Sequence, residues 1–142
     1  MRCLQPVAIT GAGLVCAAGE TLPETLRAFA EVGRTMAGPP PFPTNFSFPV
    51  FRSPLGTQEI APLPAIYSRT VALAYRAALE ALACAGIARE SVPEMRFGLV
   101  VGTSVGASLD FFDFYQELSA GEAPDLAPID RYVASNPGPA LG

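Results

Sequence analysis

Two short apolar runs, each closing on a glycine-rich turn, constrain the fold of this chain more than any other feature. Val7-Ala8-Ile9-Thr10 runs into Gly11-Ala12-Gly13, and Phe97-Gly98-Leu99-Val100-Val101 runs into Gly102-Thr103-Ser104-Val105-Gly106. Both are apolar at successive positions rather than alternate ones. Such runs suit strands covered on both faces, as in a parallel sheet. Between and after them lie helical patterns. The Thr21-x-x-Glu24 spacing predicts a capping box with Pro23 in the first turn. Leu22, Leu26 and Phe29 follow at helical spacing, and Gly33 is the expected stop.

The longest predicted helix runs from a cap at Ser68 to about Gly86. Val71, Tyr75, Ala78, Leu82 and Ala85 form one apolar stripe, which Ala72, Leu79 and Ala83 widen. Arg69, Arg76 and Glu80 are its only charged residues, so the helix is expected to be covered on most sides. Its alanines permit close backbone approach. Another helix is expected to begin at Ser108 or Asp110. A last helical stretch starts at Ile129-Asp130-Arg131-Tyr132 and is broken by Asn136-Pro137-Gly138-Pro139.

Residues 38–64 differ in kind. Eight prolines, from Pro39 to Pro64, rule out a long helix or a central strand. Phe42, Phe46, Phe48, Val50 and Phe51 make the segment too aromatic for a disordered linker. It reads as an ordered excursion with one short strand at Phe46 to Phe51, packed on the body or on a partner. The order is therefore strand, helix, excursion, helix, strand, helix, which is an α/β arrangement with parallel pairing. At 142 residues it is one domain or part of a larger one. Two strands are too few to cover the apolar surface of a layered α/β protein, so the sequence reads as unfinished.

Composition narrows the function classes. Half of the residues are hydrophobic and only 15% are charged, which supplies ample material for a core. The net charge of −4 argues against nucleic acid and an anionic membrane surface as partners. No apolar stretch is long and uninterrupted enough to span a bilayer, and the N-terminus lacks the basic start and apolar core of a signal peptide. Cys3, Cys16 and Cys84 are widely spaced, with no Cys-x-x-Cys pair and no histidine to complete a zinc site. Reduced thiols in a cytoplasmic protein fit this pattern.

Each motif has a chemical reading and a plainer one. Gly102-Thr103-Ser104-Val105-Gly106 has the Gly-x-Ser-x-Gly form that displays a serine nucleophile between strand and helix. A chain without histidine gives Ser104 no imidazole base, so a hydrolase would need one from elsewhere. The plainer reading is a sharp backbone turn. Gly11-Ala12-Gly13 suggests a dinucleotide-binding loop, but Cys16 stands where the third glycine belongs, and a structural tight turn accounts for it better. Asp110 and Asp113 are three residues apart on one helical face, where they would serve acid–base or metal chemistry or simply complement the helix dipole. Cys16 and Cys84 read as small buried apolar residues. Phe111, Phe112, Phe114 and Tyr115 cover a face too wide for a simple amphipathic helix and read as a subunit interface.

Together these segments resemble the N-terminal half of a β-ketoacyl synthase, the condensing enzyme of fatty-acid and polyketide assembly. Val7 to Gly19 resembles that family's opening strand and turn, with Cys16 where the family often has Ser. Ala81-Leu82-Ala83-Cys84-Ala85-Gly86 resembles its Ala-rich A-L-x-A-G helix. Phe97 to Gly106 resembles its R-x-G-V-V-x-G-T-S-x-G strand and turn. Arg131-Tyr132-Val133-Ala134-Ser135-Asn136 resembles the segment leading to the family's Asn. The four motifs stand in the family's order and cover Val7 to Gly142, except the proline-rich excursion.

The resemblance implies a partial synthase N-terminal domain over residues 1–142, with the fold of an incomplete thiolase-like half: a mixed sheet packed with helices. It implies decarboxylative Claisen condensation of acyl and malonyl thioesters carried by an acyl carrier protein, with no cofactor and no metal. The family's nucleophilic Cys follows the position matching Asn136, and its two catalytic His residues come later; none of Cys3, Cys16 or Cys84 matches the nucleophile. No catalytic residue is therefore implied here, and the chain alone is expected to be inactive. Val105 matches a position near the acyl pocket and the dimer interface, and Ile129 falls near a loop lining the active-site approach. The helix from Asp110 to Leu118 matches a region close to the dimer interface. A homodimer or a synthase-like heterodimer is the expected assembly. A non-catalytic synthase-like subunit and a serine hydrolase built on Ser104 remain alternative readings.

Overall fold

The computed structural model describes residues 6–31, 37–40, 43–53, 68–104, 106, 108 and 110–134. These residues form a mixture of helices and one small two-stranded sheet, compatible with a small α/β fragment.

Helix α1 spans Leu22–Ala30. Thr21 is its N-cap, with the Thr21 hydroxyl accepting the Glu24 N–H at 3.4 Å. The Glu24 carboxylate reaches back, but to the N–H of Glu20 at 2.9 Å rather than to that of the cap residue. The expected signal is thus present with its second bond displaced by one residue. The helix ends at a Glu31 cap, and Gly33 lies outside the described residues. Its buried face is not the expected one. Thr25 and Ala28 are buried, whereas Leu26 and Phe29 are 60% and 70% exposed. Small residues face inward because the turn at Cys16–Gly19 packs directly against this helix, with Thr25 in contact with Cys16.

The sheet joins β1, Ala37–Gly38, to β2, Val50–Phe51, in an antiparallel pair with Ala37 opposite Phe51 and Gly38 opposite Val50. The strand expected at Phe46 to Phe51 is shorter than its aromatic pattern suggests. Phe46 and Phe48 stack on each other, with ring centroids 6.0 Å apart, and stay exposed, as does Phe51. The excursion does not pack these rings on the body. What anchors it is Ser53, a buried residue whose carbonyl accepts an Arg69 N–H at 2.6 Å.

Helix α2, Arg69–Cys84, is the organising element. Ala72 and Tyr75 are buried, and Val71, Ala78, Leu79 and Leu82 are half-buried, so the helix is less covered than its composition predicts. Its C-terminus closes as expected at Gly86. That residue has φ +71°, its N–H donates to Ala83 O at 3.0 Å, and the Ile87 N–H donates to Leu82 O at 2.9 Å. This is the paired bonding of a Schellman motif, in which glycine takes the left-handed position. A 3₁₀ turn, Arg89–Glu94, follows and buries Val92. The Arg89 guanidinium lies over the Tyr75 ring, 5.7 Å from its centroid.

Helix α3, Phe112–Ser119, starts later than Ser108 or Asp110, with Phe111 as its N-cap. It ends on the same closure as α2: Gly121 at φ +77° and the Glu122 N–H on Glu117 O at 3.0 Å. Helix α4, Ala127–Ala134, contains the predicted helical start at Ile129.

Neither apolar run is a strand. Residues 6–15 and 96–103 have no strand pairing. Val7, Ile9 and Val100 are 94%, 92% and 98% exposed, and Phe97, Leu99 and Val101 are also exposed. The expected parallel pairing is therefore corrected: the pairing present is antiparallel and joins other residues. The reason is physical. A strand apolar on both faces needs a neighbour on its ladder and a covering layer on each side, and the described residues supply neither.

Candidate functional site

Two junctions on α2 gather the residues that the motifs single out. The first lies along its C-terminal half, where the Gly11-Ala12-Gly13 segment crosses the helix backbone. A Cβ at Gly11 would stand 2.2 Å from Ala81 O, and one at Gly13 only 2.0 Å from Ala77 O. Glycine on one side and alanine on the other bring two backbones to a separation that no larger residue permits. Glu80 then ties the segment down. Its two carboxylate oxygens accept the Leu14 and Leu22 N–H groups, each at 2.8 Å. One side chain of α2 therefore holds both ends of the segment that leads into α1. This explains the glycine pair without a nucleotide.

Cys16 sits within that segment, in a turn where its N–H donates to Gly19 O at 3.0 Å. The thiol is half-buried, 3.6 Å from the Thr25 hydroxyl, and its sulfur accepts the Ala18 N–H at 3.4 Å. Burial pushes the Cys16 thiol pKa up, but hydrogen bonds from Thr25 and from the Ala18 and Gly19 backbone outweigh it, so the net direction is down. Nothing near Cys16 in the sequence is cationic, and its partner Thr25 lies nine residues further on, so no local pattern points to this effect. Cys84 differs: it is exposed, not buried as expected. Cys3 lies outside the described residues.

The second junction is the N-terminus of α2. Ser68 is fully buried but makes no cap bond to its own helix. Its hydroxyl donates instead to the Asp110 carboxylate at 2.7 Å, across 42 residues. The Thr70 hydroxyl donates to Gly106 O at 3.0 Å, and the Arg69 guanidinium reaches Ser53 O. The glycine-rich turn, the excursion and the approach to α3 thus meet at one helix end. Burial and then the Arg52 guanidinium lower the Arg69 pKa, with Asp110 acting the other way. Asp110 is accordingly not a first-turn residue of α3; only Asp113 holds that position. The carboxylate of Asp110 lies instead beside the α2 N-terminus, where a helix dipole favours negative charge. No spacing rule in the sequence points to the Ser68–Asp110 pair.

Within the turn itself, the Thr103 hydroxyl accepts the Gly106 N–H at 2.9 Å, and Gly106 takes φ +57°. Ser104 is exposed at the bend. Val105, matched to the acyl pocket by resemblance, lies outside the described residues. Ile129 is half-buried on α4, its N–H on Leu126 O at 3.0 Å.

The aromatic cluster divides. Phe111 and Phe114 are half-buried, while Phe112 and Tyr115 are exposed. Tyr115 meets the other two rings edge to face, at 6.4 Å from Phe111 and 5.5 Å from Phe114, a geometry aromatic pairs favour. An open hollow of about 500 Å³ is lined by Phe112, Tyr115, Gln116, Ser119 and Ala120.

Among the described residues no group of three His, Cys, Asp or Glu side chains could hold a metal ion. No helix among them is long and apolar enough to cross a membrane. Compared with known proteins, the chain matches no family model, no curated sequence and no solved structure.

Proposed function

We propose that this chain is the N-terminal portion of an acyl-carrier-protein-dependent condensing enzyme of fatty-acid or polyketide synthesis, working in the cytoplasm as a dimer. The reading rests on the four motifs that resemble the β-ketoacyl synthases in order. The observation that carries it furthest is the exposure of the two apolar runs, at Val7 and Ile9 and at Phe97 to Val101. Segments of this composition belong inside a sheet, and a larger condensing enzyme would supply the strands to cover them.

On this reading the chain contributes scaffold and pocket wall. The thiolate that takes the acyl group and the imidazoles that assist decarboxylation of the malonyl thioester come from residues beyond it. Val105 lines the acyl pocket, Ile129 flanks the approach to it, and Phe111, Phe112, Phe114 and Tyr115 meet a partner subunit.

The test is the intact mass of the protein isolated from its native source. A mass well above 14.8 kDa, with Cys and His in the added sequence, is the expected result. A mass of 14.8 kDa would overturn the condensing reading and leave a non-catalytic subunit that needs a partner. In the longer enzyme, Val105→Trp is expected to shorten the accepted acyl chain, and an unchanged chain-length preference would refute the pocket assignment.

A further inference from the structure

We draw no further inference here: the strongest candidate, the exposed apolar surface made by the extended runs at residues 7–10 and 97–101 and by Phe112 and Tyr115 on α3, already serves the proposed function, and nothing in the structure shows what covers it.

Discussion

Two glycines and one cysteine show how much a single position decides in this chain. Gly13 faces Ala77 O at a distance where a Cβ cannot fit, whereas a Cβ at Gly98 would meet nothing within 4 Å. Gly13→Ala is therefore expected to cost about 3 kcal/mol, at the upper end of overpacking costs. Gly98→Ala is expected to stay within about 0.5 kcal/mol of the parent. Urea denaturation of the two variants checks the contrast, and equal stabilities would mean that the 11–13 segment does not lie on α2. Cys16 carries a pH signature. Its folded pKa is lowered, so the thiolate, the alkylating species, forms at a lower pH than in a free thiol. By linkage, the stability it contributes is present in full above the unfolded thiol pKa of about 8.5 and is lost as pH falls through the folded value. Residue-resolved iodoacetamide labelling against pH should place the Cys16 midpoint below that of a free thiol. Thr25→Val should move it upward, and a midpoint unaffected by that change would exclude the hydroxyl as a cause.

At the scale of elements, α2 is held at three places by three kinds of interaction. Along its length, Glu80 accepts two backbone N–H groups, from Leu14 before α1 and from Leu22, the first residue of α1. In Glu80→Gln one acceptor becomes a donor facing a donor, at an expected cost of about 1–2 kcal/mol given the partial exposure of these bonds. At its C-terminus, Gly86 occupies the left-handed position. Gly86→Ala should lower stability by roughly 1 kcal/mol, since an alanine there pays the left-handed penalty. At its N-terminus, the Ser68–Asp110 bond joins α2 to the approach to α3. A double-mutant cycle on Ser68→Ala and Asp110→Ala is expected to give a coupling of about 1.5–3 kcal/mol, as for a hydrogen bond to a charged group. Additive effects would show that the two side chains do not interact. The Thr21 cap, the Gly86 stop and the alanine content of α2 were legible because they depend on neighbours within a turn or two. The buried face of α1 was not. Leu26 and Phe29 have the right spacing for a core face, yet Thr25 and Ala28 take it, because periodicity gives a stripe and not the shape of what lies against it.

At the scale of the whole molecule, the described residues bury little of their large apolar inventory. Among the described residues the buried hydrophobic core is Ala18, Ala28, Ala72, Tyr75 and Val92, while Val7, Ile9, Val100 and many larger side chains remain exposed. The isolated chain is therefore expected to bind an apolar dye such as ANS under native conditions and to self-associate with rising concentration. An absence of both would show that this surface is covered within the chain. It is also expected to show no condensing turnover above a no-enzyme control when given acyl and malonyl carrier proteins, and measurable turnover would contradict the assignment of the nucleophile to residues beyond it. By itself the sequence determined local matters: the cap at Thr21, the stop at Gly86, the extent of α2, the presence of a helix through Ile129 and the absence of any imidazole to activate Ser104. These follow from backbone propensity and composition, which act over a few residues. Only the tertiary structure decided that Gly11 and Gly13 serve a backbone crossing, that Ser68 bonds to Asp110 instead of capping its helix, and that two strand-like runs stay unpaired. Each depends on what meets a residue from far along the chain, and a strand in particular exists only when another strand satisfies its hydrogen bonds.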